Sequence, residues 1–241
     1  MSQSVKIAIS TCRSGSTALI HAMSQHPQIE CYYQPIKAGI RASGAPDYSI
    51  FERRRESGWL MAKETIGHLS MTESCYSIFP NDQAIIDSRP VFLLREPMET
   101  FNAWKNYRWG NMQRFLASWK NVIATLRRTR EVGIEPMIIT YTELSHNAES
   151  VLGRICKRWE MPLIHDMIEW PVSFQDNQSI IYPDPTHGNY NYAHEHISRV
   201  NTFTEISRKL TLNPEERDQL KPLREEYQRL TGDTRTIPLA L

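Results

Sequence analysis

The sequence predicts an α/β fold: a single domain with a central parallel sheet flanked by helices, and a P-loop-like anion-binding turn after the first strand. Three observations carry this. Short, continuous apolar runs recur along the chain, the pattern of strands buried on both faces. They alternate with segments of helical period, as crossover connections require. A turn containing glycine and hydroxyl residues, Thr11-Cys12-Arg13-Ser14-Gly15-Ser16-Thr17, joins the first run to the first helix.

Residues 5–10 read as the first strand, apolar and β-branched between polar flanks. A helix follows to about residue 26 and stops at Pro27, because the residue before a proline is pushed out of helical geometry. Residues 29–33 and 59–62 are the next strands. The run 91–94 ends at Arg95-Glu96-Pro97, and Pro97 suits the first turn of a helix. Residues 111–132 carry an amphipathic helical pattern closed by Gly133. Residues 137–140 form another strand, feeding a helix over about 145–159. Asn213-Pro214-Glu215-Glu216 starts the last helix with an N-cap, a proline at N1 and acids in the first turn.

The chain has 241 residues, 40% hydrophobic and 23% charged, with a net charge of +1. That composition excludes a disordered chain, and near neutrality excludes a protein that coats nucleic acid by bulk charge. Residues 1–241 read as one domain, with a lid or insertion at 34–58 and a long functional loop at 171–195. No run approaches the roughly 20 apolar residues of a membrane span, and the N-terminal run is too short for a signal-peptide core. Cys12, Cys31, Cys75 and Cys156 are widely spaced, so free thiols in the cytoplasm are expected, with neither a disulfide framework nor a metal knuckle. Region 34–58 and the C-terminal helix are the candidate surfaces for a homodimer.

The turn at 11–17 lies where α/β sheets bind anions: N–H groups converge at a helix start, and the helix dipole is positive there. Arg13 adds a planar cationic fork; Ser14, Ser16 and Thr17 add hydroxyls. The nucleotide-triphosphatase pattern G-x-x-x-x-G-K-[ST] is missing, as is G-x-G-x-x-G. Arg95, at the carboxyl end of the 91–94 strand, projects into the same crevice. Two separated cations suggest a ligand with two anionic groups.

T-C-R-S-G-S-T-A-L at 11–19, with Met23-x-x-His26-Pro27 after it, resembles the 5′-phosphosulfate loop of P-loop-type sulfotransferases, nearest the carbohydrate-type and bacterial branches. F-L-L-R-E-P at 92–97 resembles their 3′-phosphate strand-turn, usually R-D-P. Residues 139–144 are similar to their Y-E-D-L segment, and Ile155-Cys156 before Met161-Pro162 fits the helix that comes after that segment in the family. Order and spacing agree over roughly 5–165. The resemblance implies a sulfotransferase using 3′-phosphoadenosine 5′-phosphosulfate (PAPS) as donor and no metal. It implies that Arg13, Ser14, Gly15, Ser16 and Thr17 cradle the phosphosulfate, that Arg95 grips the 3′-phosphate, and that Tyr141 lies near the adenine.

The sequence departs from that family at three places. Ala103 stands where a serine is usual, with Asn102, Lys105 or Asn106 as the neighbours able to compensate. Gln34-Pro35 replaces Glu-Pro after the second strand. Lys63-Glu64-Thr65 replaces Lys-x-His after the third. Arg13 and Lys63 are the candidates for charge stabilisation and Glu64 for the base, although neighbours on a strand point to opposite faces unless the strand has ended. His68 is a second candidate base. His21 could face the site but reads better as a core histidine, and His26 as a helix C-terminal cap. His187, His194 and His196 lack an obvious further metal ligand. Arg53-Arg54-Arg55 read as a solvated helix face, and Trp104, Trp109 and Trp119 as core.

The expected reaction is sulfuryl transfer to a hydroxyl or amine of a small-molecule acceptor. The alternative is a protein of the same fold with altered or lost chemistry that binds a nucleotide or other ligand in that cleft. A P-loop kinase-like enzyme is a more distant alternative.

Overall fold

The computed structural model describes residues 4–107, 109–184, 196–206 and 209–235. Its centre is a six-stranded sheet in the order β5-β4-β1-β3-β2-β6, every neighbouring pair parallel. The strands are β1 (Lys6–Thr11), β2 (Ile29–Tyr33), β3 (Trp59–Ile66), β4 (Val91–Leu94), β5 (Met137–Thr140) and β6 (Ile180–Ile181).

The pleat divides the core in two. Ile7, Ile9, Ala62, Ile66, Phe92 and Leu94 face one layer of helices. It is formed by α2 (Pro35–Ser43), α3 (Met71–Cys75), α4 (Asp82–Ser88), α5 (Pro97–Asn106), α6 (Met112–Glu131) and α9 (Pro214–Thr231). Ala8, Cys31, Tyr33, Met61, Leu93 and Ile139 face α1 (Ser16–Ser24) and α8 (Ala148–Trp159) on the other side. Successive residues of a strand thus feed different cores, which is why these strands read as unbroken apolar runs.

Local signals set several boundaries. Asn111 caps α6, accepting the Arg114 N–H at 2.9 Å, and Phe115, Trp119, Val122 and Leu126 recur on its buried face. Asn213 and Glu216 close the expected capping box at α9. A second capping box, Thr140 with Glu143, starts α7 (Tyr141–His146) directly after β5. The single helix expected over 145–159 is therefore two, α7 and α8.

Other expectations change more. β3 runs four residues past the expected end, to Ile66, because Thr65 and Ile66 keep pairing with Ser10 and Thr11 of β1. Residues 35–43 of the region read as a lid or insertion form α2, whose Ile36 and Ile40 lie in the core. Arg53, Arg54 and Arg55 lie outside any helix; Arg53 donates to the Tyr32 hydroxyl at 2.8 Å and Arg55 to the Gln28 carbonyl at 3.2 Å. Cys12, Cys31, Cys75 and Cys156 are free thiols. Among the described residues, no helix is long and apolar enough to cross a membrane.

Gly67 closes the turn after β3 at φ +87°, where a Cβ would meet Ser118 Oγ and lie 2.5 Å from Trp104 Cη2. Left-handed strain and overpacking each cost roughly 1–3 kcal/mol. Gly67→Ala is expected to lower unfolding free energy by about 2–4 kcal/mol, read from the midpoint shift in a urea titration. An unchanged midpoint would refute this close approach.

Candidate functional site

The strand order decides which loops meet. β1 pairs with β4 through Ala8↔Val91 and Ile9↔Phe92, and β4 pairs with β5 up to Leu94↔Thr140. The turns after these three strands therefore sit side by side, bringing Arg13, Arg95 and Tyr141 together. They line an open cleft with Gly15, Ser16 and Thr17. Its far wall comes from Trp170, His196, Ile197, Val200, Thr202, Thr204 and Ile206.

The first turn is held from several directions. Cys12 N–H donates to the Ile66 carbonyl at 3.2 Å, and the Trp104 indole N–H donates to the Cys12 carbonyl at 2.8 Å. Trp104 is thus a core residue that also fixes the loop. Thr11 Oγ1 and Ser14 Oγ share a 2.8 Å hydrogen bond, so Ser14, fully buried, serves inside the turn. Gly15 takes φ 90°, and an added Cβ would lie 2.6 Å from Tyr141 Cδ2. Glycine is required there because the Tyr141 ring packs on it. No side chain caps α1, whose first N–H groups have no intrahelical partner; Ser16 and Thr17 carry them at the cleft wall.

Arg95 is ordered by four contacts. Its guanidinium lies 4.2 Å from the centre of the Tyr141 ring. Its Nε donates to Glu99 at 3.1 Å, Nη2 to the Ile206 carbonyl at 3.0 Å and Nη1 to the Arg13 carbonyl at 3.4 Å. Tyr141 OH accepts the Ile206 N–H at 2.8 Å and donates to the Thr204 carbonyl at 3.3 Å. Asn102 is spent on the 209–211 segment: Nδ2 donates to the Lys209 carbonyl, and Oδ1 accepts from Thr211 N–H and Oγ1. Lys105 likewise binds Glu216 at 2.8 Å, tying α5 to α9. Ala103 lies on the wall of a smaller adjoining cavity with Arg13, Arg95 and Glu99.

The extension of β3 separates Lys63 from Glu64. Lys63 points to the α1 side, with its Nζ 3.4 Å above the Tyr33 ring; the Tyr33 hydroxyl hydrogen-bonds Thr17 Oγ1 at 3.1 Å. Burial, with Lys37 and Arg41 adding repulsion, pushes the Lys63 amine well below its usual pKa. Glu64 points to the opposite face, under the start of α2. It accepts the Ile36 and Lys37 N–H groups at 2.8 and 3.3 Å and the Tyr76 hydroxyl at 2.7 Å. Burial raises the Glu64 pKa, opposed by Lys37 and these hydrogen bonds. Glu64, the candidate base, thus spends its carboxylate on the start of α2 and on Tyr76.

The remaining base candidates are also engaged. His68 Nδ1 lies 3.2 Å from Arg41 Nη2, and its ring packs edge-on to Trp109. His21 is fully buried against Trp170 and Phe174, with Asn177 Nδ2 at 3.1 Å from its Nδ1. The C-cap of α1 is Gln25 rather than His26, whose Nδ1 accepts the Gln28 N–H at 3.1 Å beyond the helix. Gln34 donates to Thr65 Oγ1, so the two residues that replace the family's usual glutamate and histidine bind each other.

One residue escaped the sequence reading. Lys37, fully buried, donates to the Gly67 carbonyl at 2.8 Å and Thr65 Oγ1 at 3.3 Å, and lies 3.7 Å from Cys12 Sγ and 3.9 Å from Glu73. Treating Gln34-Pro35 as a helix start is the signal that would place it in a first turn near the β3 end. Beside it, Arg41 pairs with Glu73 and Asp184. His187 and His194 lie outside the described residues. Among the described residues no group of three His, Cys, Asp or Glu could hold a metal.

No family model matches the chain, and no curated protein matches it in sequence. Solved structures do resemble it. A mouse sulfotransferase, SULT7A1, complexed with PAP, is 13% identical, with 95% of this chain and 85% of that one covered at a TM-score of 0.56. A sulfotransferase from Alicyclobacillus acidocaldarius is 11% identical, with 97% of each chain covered at 0.53. The sulfotransferase domain of the Synechococcus PCC 7002 olefin synthase is 14% identical, with 98% and 96% covered at 0.51. The chain has the sulfotransferase fold.

Burial drives the His21 pKa down to about 4. Between that value and about 6.5, the ordinary imidazole value, the unfolded chain takes a proton that the folded one refuses. Stability is therefore expected to fall by roughly 2–3 kcal/mol as pH drops from about 6.5 to about 4. A His21→Gln variant should show a flatter pH dependence in denaturant titrations. Equal slopes would refute the assignment of His21 as a neutral core group.

Proposed function

We propose that this protein transfers a sulfuryl group from PAPS to a hydroxyl or amine of a small-molecule acceptor. The observation that carries the reading is the meeting of the β1 and β4 turns in one cleft, with a helix N-terminus and two guanidiniums, on a sulfotransferase fold. The donor set fits the group: PAPS carries anions at both ends of an adenosine, and the cleft offers backbone N–H groups at one end and Arg95 at the other. The similar mouse structure was solved with PAP, the nucleotide left after transfer.

When bound, PAPS supplies an activated sulfuryl group, and the chain supplies positioning and charge stabilisation. Ser16 and Thr17, with the uncapped start of α1, hold the 5′ end. Arg95, aimed by the Tyr141 ring and Glu99, holds the 3′-phosphate. Tyr141, packed between Gly15 and the 204–206 segment, forms the adenosine side of the cleft. Lys63, rather than Glu64, is the member of its pair on the α1 side. Its amine, made easier to deprotonate by burial, is the group there suited to handle the acceptor proton or the developing charge. Glu64 is a positioning residue for α2.

One observation favours the alternative of altered or lost chemistry. Gln34 and Thr65 are committed to each other where the family keeps its acid–base groups. Tight binding of PAP without turnover on a broad acceptor panel would support that alternative.

Calorimetry should detect adenosine 3′,5′-bisphosphate binding without added magnesium, and incubation with PAPS and an acceptor panel should release that bisphosphate. Arg95→Met is expected to weaken bisphosphate binding by about tenfold or more, the worth of a charged hydrogen bond to phosphate. Magnesium-dependent ATP binding in place of bisphosphate binding would refute the reading.

A further inference from the structure

Arg13 packs its side chain against the residue that follows α5. Its backbone takes φ 70°, and its guanidinium lies over the Tyr107 ring, 4.0 Å from the centre. Tyr107 directly follows α5, the helix that carries Asn102 and Ala103. Beyond the main cleft, Arg13 and Arg95 border a second, small cavity with Glu99, Asn102, Ala103 and Ile206. The Arg95 Nη1 hydrogen bond to the Arg13 carbonyl fixes the two turns relative to each other. Both guanidiniums thus lie on tyrosine faces, and both arginines border one small cavity.

Charge and hydrogen bonding favour joint action of the two arginines. Glu99 already pairs with Arg95 at 3.1 Å, so Arg95 alone brings little net charge to a dianionic phosphate. Ala103 offers no hydroxyl. The Asn102 amide is occupied at both ends by Lys209 and Thr211. Among the described residues, the second cation bordering this cavity is Arg13, whose planar fork suits a phosphomonoester.

We propose that Arg13 and Arg95 together bind the 3′-phosphate of the donor, with Arg13 taking the place of the serine that Ala103 replaces. This deepens the PAPS reading and rests on it. Recognition of the 5′ end then falls to the backbone N–H groups and hydroxyls of Ser16 and Thr17. Preference for a 3′-phosphorylated nucleotide becomes the property of an arginine pair from two different turns.

The test is calorimetry with two ligands, adenosine 3′,5′-bisphosphate and AMP, on the full chain and its Arg13→Met and Arg13→Lys variants. Circular dichroism would check that each variant folds. The wild type should bind the bisphosphate more tightly. Arg13→Met should weaken bisphosphate binding about 10- to 100-fold, while AMP affinity changes less than about twofold. Arg13→Lys, which keeps the charge but loses the fork, should show an intermediate loss for the bisphosphate alone. Equal losses for both ligands would place Arg13 at the 5′ end and overturn the proposal while leaving the PAPS reading standing. A wild type that does not distinguish bisphosphate from AMP would overturn the PAPS reading itself.

Discussion

The cleft depends on one constraint: the turns after β1 and β4 must be held against each other. Strand pairing brings them close, and a few hydrogen bonds then lock them. Trp104, from α5, donates across to the Cys12 carbonyl, and Arg95 donates to the Arg13 carbonyl. Each bond ties the helix or turn after β4 to the loop after β1. The loop itself has left-handed residues at Arg13 and Gly15, conformations that persist when surrounding packing over-determines them. Tyr141 closes the arrangement by packing on Gly15, supporting Arg95 and anchoring the 204–206 segment.

The end of β3 carries a buried polar cluster that ties neighbouring elements together. Lys37, Lys63 and Glu64 are almost fully buried, a costly placement unless partners are supplied. Lys37 and Glu64 have theirs: Lys37 links the β3 end to the loop after β1, and Glu64 holds α2. Lys63 is different, resting on an aromatic face next to a tyrosine that reaches Thr17. Burial that costs stability for the charged amine is the same force that eases its deprotonation.

Much of this is legible in the sequence because it is local. The apolar runs at 5–10, 29–33, 91–94 and 137–140 mark strands, since a parallel sheet buried on both faces leaves no polar side to blur the pattern. The caps at Asn111 and Asn213 set helix starts through contacts three residues away. The loop 11–17 and Arg95 are recognisable because anion-binding chemistry needs those residue types directly after strands. The roles of Lys63, Glu64 and Lys37 are not legible in the same way. The sequence puts Glu64 at a strand end, yet pairing with β1 carries the strand to Ile66 and turns the Glu64 side chain to the opposite core. Lys37 lies in a stretch whose glycine, proline and charge suggest a peripheral cover, while Ile36 and Ile40 fold it into a core helix.

The α/β class, the position of the glycine- and hydroxyl-bearing turn after β1 and the second cation after a later strand all follow from contacts within a few residues, so the amino-acid order sufficed to dictate them. Which turns become neighbours, and which way each buried charged side chain points, was decided only by the tertiary structure. Strand order and register are set by long-range pairing and by the competition of two cores for alternate residues. That is why Arg13 and Arg95, 82 residues apart, border one small cavity, while the adjacent Lys63 and Glu64 serve opposite faces of the sheet.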